Sequence, residues 1–222
     1  MNYDKISAQV LSAVVIPQVD ESLRQAYGLS DGQKSCAIFT ATFDDFIFLA
    51  LDEATKKADV QASYIHSFYA GGPNASSKLQ GEGIGILAGA TVAQVQAGVD
   101  AVLECERSGM VTAVSCNEDD SITSLTVTVA RTGHLFEKYF GVPAGSSIAY
   151  LAGPPLESYY AVDLAIKASG AKLAMYFSPA ETNCGGALLI GSQSQCVAAA
   201  KAYEDGIRYV AEHPKPENER GC

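Results

Sequence analysis

Tryptophan is absent from the 222 residues, and charge is scarce: 18% of the side chains are Asp, Glu, Lys or Arg, against about 25% in an average domain. With 48% apolar residues, the chain can bury enough surface to offset its ordering entropy, which excludes a disordered protein. A surface short of charge is often hidden against copies of the same chain. Positive charge is the scarcer sign. The 15 Lys+Arg face 25 Asp+Glu, a net charge of −10, which argues against wrapping nucleic acid or an anionic membrane. Long hydrophobic runs are missing too: the longest, Phe46 to Leu51, is far short of the about 20 residues that span a bilayer. Met1-Asn2-Tyr3-Asp4-Lys5 lacks the basic stretch and apolar core of a signal peptide, so a cytosolic protein is expected. No Cys-x-x-Cys pair occurs among Cys36, Cys105, Cys116, Cys184, Cys196 and Cys222. Several lie in apolar runs and read as reduced, small core residues.

What is present is a repeat. Gly85-Ile86-Leu87-Ala88-Gly89 reads as a short strand, followed by a capping-box start at Thr91 to Gln94 and a helical run from Val95 to Glu106. About 101 residues later come the strand Ala187-Leu188-Leu189-Ile190-Gly191, the capping box Ser192 to Gln195 and the helix Cys196 to Ala211. Upstream, a helix through Ala54 to Ala58 leads into a strand at Asp59 to Tyr64. Its counterpart at Ala161 to Ala168 leads into Ala171 to Tyr176. Each half therefore reads helix, strand, loop, strand, helix. The expected fold class is α+β, with two similar domains at residues 1–109 and 110–222.

Further elements follow from local pattern. Cys36 to Thr42 and Phe46 to Leu51 read as strands joined by a turn at Asp44-Asp45. Ile122 to Val129 alternates as a half-buried strand. Gly133 to Phe140 reads as a short helix and Ser147 to Leu151 as a strand. Pro154-Pro155 starts a helix running to Lys167, where a missing first-turn N–H costs nothing. Residues 4–27 read as an amphipathic helix, and His213 to Cys222 as a frayed, charged tail.

Two stretches carry candidate chemistry. Asp44-Asp45 and the glycine-flanked Glu82 of Gly81-Glu82-Gly83 are either a solvated turn and a loop, or a pocket for a small cation. Adjacent carboxylates repel unless solvated or paired with positive charge. The loop His66 to Ser77 sets Phe68 and Tyr69 before the hinge glycines Gly71 and Gly72, as an ordinary surface loop or a functional one. His66, His134 and His213 form no His-x-x-x-His motif and pair with no nearby carboxylate, so no metal site is expected. No nucleophile elbow or catalytic constellation is assembled, and a non-enzyme is expected.

Several segments occur together in order: Phe43-Asp44-Asp45, Asp52-Glu53-Ala54-Thr55-Lys56-Lys57, Phe68-Tyr69-Ala70-Gly71 and Arg131-Thr132-Gly133, then Ala152-Gly153-Pro154-Pro155-Leu156-Glu157, Glu181-Thr182-Asn183 and Gly191-Ser192-Gln193. In these segments, from about residue 4 to 213, the chain resembles the tandem-domain, trimer-forming shell proteins of bacterial microcompartments, of the ethanolamine-utilisation type. The resemblance implies two circularly permuted microcompartment domains, each a small antiparallel sheet flanked by helices. It implies a homotrimer that tiles with other shell proteins and carries a gated central pore for metabolites or cofactors. It also implies small pores that bind ethanolamine, with Asp44, Asp45, Glu82 and Thr182 in the matching segments. Phe68, Tyr69, Gly71 and Gly72 fall in the segment implied to gate the central pore. Val111-Thr112-Ala113-Val114 departs from the pattern, with no aromatic where a similar protein lines its small pore with Phe. No cofactor is required on this reading. The alternatives are a trimeric carrier that binds cobalamin for ethanolamine ammonia-lyase, and an enzyme of unrecognised type.

Overall fold

Val10, Val14, Val15 and Ile16 are β-branched, and such side chains fit a pleated surface better than a crowded helix. In the computed structural model, which describes residues 4–68, 75–178 and 184–215, they form strand β2 (Val10–Ile16), after a short strand β1 (Lys5–Ser7). The helix expected over residues 4–27 is therefore replaced by strands and a single 3-10 turn at Glu21–Leu23, capped where the Asp20 side chain accepts the Ser22 N–H. The apolar positions that looked amphipathic at helical period are satisfied instead by pairing: Val10 to Ile16 run antiparallel to the next strand.

Two compact units result. The first comprises Ser7–Val111 with Gly133–Tyr139; the second holds the residues through Ile6, Thr112–Thr132 and those from Phe140 onward. In the first, β2, β3 (Ser35–Ala41), β4 (Gln61–Ser67) and β5 (Gly83–Gly89) form an antiparallel sheet in the order β2-β3-β5-β4. Helices α1 (Asp44–Lys57) and α2 (Val92–Arg107) pack on each other and on this sheet. The strand expected over Phe46 to Leu51, with its turn at Asp44-Asp45, is instead the first half of α1. Phe46, Ile47, Leu49, Ala50, Leu51 and Ala54 are all buried, and a short apolar run does not by itself separate a buried strand from a buried helix. The end charges favour the helix: Asp44 and Asp45 occupy its first turn, Lys56 and Lys57 its last, as the helix dipole prefers.

The second unit holds β6 (Thr112–Ser115), β7 (Thr123–Val129), β8 (Ile148–Gly153), β9 (Lys172–Phe177) and β10 (Gly185–Ile190) in the sheet order β1-β6-β7-β8-β10-β9. The short helix α3 (His134–Phe140) lies between β7 and β8 in the chain. Helices α4 (Pro155–Ser169) and α5 (Gln193–Glu212) pack on each other and on the sheet, over a core that includes Leu151, Leu189, Ala161, Ala199, Tyr203 and Ile207. Both expected capping boxes form. Thr91 and Gln94 cap α2, and Ser192 and Gln195 cap α5, each pair exchanging side-chain and backbone bonds. The duplicated order α1-β4-β5-α2 and α4-β9-β10-α5 is the helix, strand, strand, helix pattern of the sequence, and the fold is α+β.

Candidate functional site

The acids of the first unit are gathered by the way α1 starts. Phe43 precedes the helix in extended conformation and offers no side-chain cap, so first-turn N–H groups need other acceptors. Asp44 supplies one: its Oδ1 accepts the Asp45 N–H at 2.8 Å. Carboxylates are favoured at this end of a helix.

Glu82 reaches the same place from the sheet. The β4–β5 ladder pairs Ser67 with Gly83 and continues one step further, where the Phe68 N–H donates to the Glu82 carbonyl at 2.7 Å. The Glu82 N–H donates in turn to the Ala41 carbonyl at 2.9 Å. The flanking glycines are required by contact. A Cβ on Gly81, whose φ is +63°, would lie 1.9 Å from the Ala41 oxygen. A Cβ on Gly83 would lie 2.9 Å from Asp44 Cα. With β5 pressed this closely on α1, Glu82 is half-buried. Burial first, and then the charge of Asp44, push its carboxyl above the usual range.

The structure thus brings Glu82 beside Asp44, the residue that opens α1 next to Asp45. It also ties Phe68 to them, since Phe68 and Glu82 are the two ends of the β4–β5 connection and are bonded to each other. In the sequence the acids and the aromatic loop stand as separate candidates, because only the β4–β5 register reveals their common root. The Phe68 ring stands edge-on to His66, with centroids 5.8 Å apart. On the far side of the connection, Thr40 Oγ1 donates to the Leu79 carbonyl at 2.5 Å, and the Ser76 N–H to Gln80 Oε1 at 2.7 Å. Tyr69, Gly71, Gly72 and Thr182 lie outside the described residues.

The histidines need one correction. His134 does pair with a carboxylate, its Nδ1 lying 3.3 Å from Glu137 Oε2 one helical turn on, with both side chains exposed. His213 Nδ1 contacts the Tyr209 carbonyl at 2.9 Å. Among the described residues, no three His, Cys, Asp or Glu side chains gather as a metal-holding group. Cys36, Cys105, Cys116 and Cys196 are buried thiols outside any disulfide, and Cys184 is a reduced cysteine exposed ahead of β10. Burial pushes Cys105 up to about 11, which keeps it a protonated core residue. Chemically, a half-buried Glu82 carboxyl facing Asp44 is an arrangement whose repulsion a nearby positive charge relieves.

No family model matches the chain. It is 46% identical to the bacterial microcompartment shell protein EutL of Clostridium perfringens, over 96% of this chain and 99% of that one. The crystal structure of the ethanolamine utilization protein EutL from Leptotrichia buccalis superposes with a TM-score of 0.92 at 44% identity, covering 97% of this chain and 100% of that one. The monoclinic crystal structure of EutL from Clostridium perfringens gives 0.93 at 45% identity, covering 99% and 100%. Among the described residues, no helix is long and apolar enough to cross a membrane.

Proposed function

The chain belongs to the EutL family of bacterial microcompartment shell proteins, and from that premise we propose that it forms a trimeric tile whose Asp44, Asp45 and Glu82 cluster binds ethanolamine beside a gated pore. It is a structural shell protein of ethanolamine utilisation, in the shell of a protein-bounded compartment of the cytoplasm. The finer reading rests on the close approach of β5 to the start of α1, which holds Glu82 next to Asp44 between two obligatory glycines. An alkylammonium group supplies the positive charge that this cluster lacks, and a hydroxyl on the same small molecule leaves a donor for Thr182. The loop rooted at Phe68 and Glu82 is the gate. Phe68 and Tyr69 occlude the pore, Gly71 and Gly72 absorb the backbone change, and a ligand held at Glu82 biases the loop by its different affinity for the two states. The protein catalyses no reaction on this reading. The low charge fraction and the exposed Leu156, Tyr159, Tyr160 and Tyr209 support tiling against other subunits.

Calorimetric titration with ethanolamine tests the ligand. Asp45→Ala and Glu82→Gln are each expected to weaken binding by about tenfold or more, the size of a lost bond to a charged group. Unchanged dissociation constants in both variants would remove the acids from the site. Sedimentation and electron microscopy test the assembly: trimers that grow into sheets support the tile. A discrete trimer that binds cobalamin and never forms sheets favours the carrier, and turnover of the amine favours an enzyme.

A further inference from the structure

Two of the sequence segments singled out above meet in the folded chain, although 81 residues separate them. Asp52, on α1, has a side chain only 1% exposed. Its Oδ1 and Oδ2 lie 3.0 and 2.9 Å from the backbone N of Gly133, the residue just before α3, and both accept its N–H. Lys56 Nζ stands 3.2 Å from Oδ2, one turn further along α1. The fit leaves no room for a side chain at residue 133: a Cβ there would sit 2.6 Å from Asp52 Oδ1. Beside this contact, Phe48 of α1 meets Tyr139 of α3 edge to face at 6.1 Å, and Leu135 and Phe136 are buried.

The second unit supplies an internal control. Asp163 and Lys167 occupy the same positions of α4, each eight and twelve residues past the first residue of the helix, as Asp52 and Lys56 do on α1. They form the same i,i+4 pair, yet the Asp163 side chain is 61% exposed. Helix position and the lysine are common to both, so what buries Asp52 is the segment laid over it. A buried carboxylate is costly unless its oxygens are satisfied, and here burial raises Asp52 while the Gly133 N–H and Lys56 oppose the rise.

We propose that the Asp52 carboxylate is a clasp that fastens the Gly133–Tyr139 segment to α1, and that this segment opens as one unit when the clasp is broken. The segment is the shorter of the two chain stretches that make up its compact unit, and a short stretch held to its unit by tertiary contacts is a natural local opening unit. Removing the carboxylate leaves the Gly133 N–H buried without its acceptor. Adding a methyl group at residue 133 drives the same two groups apart from the other side.

Hydrogen exchange on the full-length protein, read by mass spectrometry, tests this. In Asp52→Ala, amide protection across residues 133–139 is expected to fall at least tenfold while that of α2 and β5 holds. Thermolysin under native conditions should then cut between Gly133 and Tyr139, where Leu135 and Phe136 become accessible. Gly133→Ala should give the same pattern, and the double variant should be no worse than either single one, as for two changes that break one contact. Asp163→Ala should leave exchange unchanged. Equal protection in Asp52→Ala and the unmutated protein, or additive effects in the double variant, would overturn the clasp. A uniform loss of protection across both units would overturn it as well, since Asp52 would then be an ordinary core residue.

Discussion

The two units build the same corner from different side chains. In the first, the strand that ends at Ala41 leads into α1 through Asp44 and Asp45, and Gly83 presses on Asp44. In the second, the strand that ends at Gly153 leads into α4 through Pro155 and Leu156, and Gly185 presses on Pro155 and Ser158. Glu82 precedes the strand in one unit; Cys184 precedes it in the other. Beneath that corner the second unit buries a hydroxyl pair, Ser158 Oγ bonded to Tyr203 Oη at 2.7 Å and to the Gly185 carbonyl at 3.1 Å. The first has Ile47 in the position of Ser158. The close glycine is common because the backbone geometry demands it, while the adjacent acid pair and Glu82 occur in the first copy and the second has Glu157 alone in the first turn of its helix. A duplicated scaffold can thus keep one backbone joint while furnishing it with different side chains in each unit.

Four experiments probe that contrast, beginning with the largest effect. Gly81→Ala combines a left-handed backbone with a Cβ 1.9 Å from the Ala41 oxygen, and is expected to lower stability by about 3 kcal/mol or more. Gly145→Ala in the second unit has a φ of +86° but nothing within 4 Å, so about 1 kcal/mol is expected. Equal losses in urea denaturation would show that the corner of the first unit is less tightly built than its geometry indicates.

Ser158→Ala should cost about 1–3 kcal/mol, because it removes a buried hydroxyl bonded to both Tyr203 and the Gly185 carbonyl, and combining it with Tyr203→Phe should cost less than the sum of the two single changes. Independent, additive losses would mean that the two hydroxyls do not act as a pair.

Acidity separates the units more finely. The pKa of Glu82 is raised in the fold, so its stabilising contribution is present below the unfolded value of about 4.3 and is lost as pH rises through the raised folded value. Glu82→Gln should therefore raise Tm at pH 7 and leave it unchanged near pH 3. On the proposed reading, in which the ionised acid holds the ammonium group, ethanolamine affinity should fall as pH drops through the window above about 4.3. A Tm for Glu82→Gln that is lower at pH 7 would reverse the sign of this coupling. The smallest effect is expected from Lys201→Ala. Its partner Asp205, at 3.0 Å on the exposed face of α5, should be released for well under about 1 kcal/mol, and a larger change would reveal a role for that surface.

Much of this was legible from local pattern. Both capping boxes and the doubled helix-strand-strand-helix order are short-range signals, written in residues three or four apart or in runs of one period. The glycines around Glu82 were visible, though their reason was not. The misread elements fail where local pattern is ambiguous. Residues 10–16 fit a helical stripe and a pleat alike, and pairing with β3 decided for the pleat. Phe46 to Leu51 fits a buried strand or a buried helix, and the apolar face continuing to Ala54 decided for the helix. Of the candidate acids, Asp44 and Asp45 are neighbours in any fold because they are consecutive. That Glu82 joins them, and that Phe68 shares its root, depended on strand register.

The sequence by itself determined the duplicated scaffold, its caps and the acid residues available for a site, because those are set by periodicity and by side chains that act within one turn. Only the tertiary structure decided which of those residues meet. Glu82 is acidic in any conformation, but it becomes a perturbed, half-buried acid only where β5 is pressed on α1. Asp52 and Asp163 occupy the same helix position and each pairs with a lysine one turn on, Lys56 and Lys167, yet Asp52 is buried and Asp163 exposed. The difference is a segment from elsewhere in the chain, and burial is a property of what packs on a residue from a distance rather than of its neighbours in sequence.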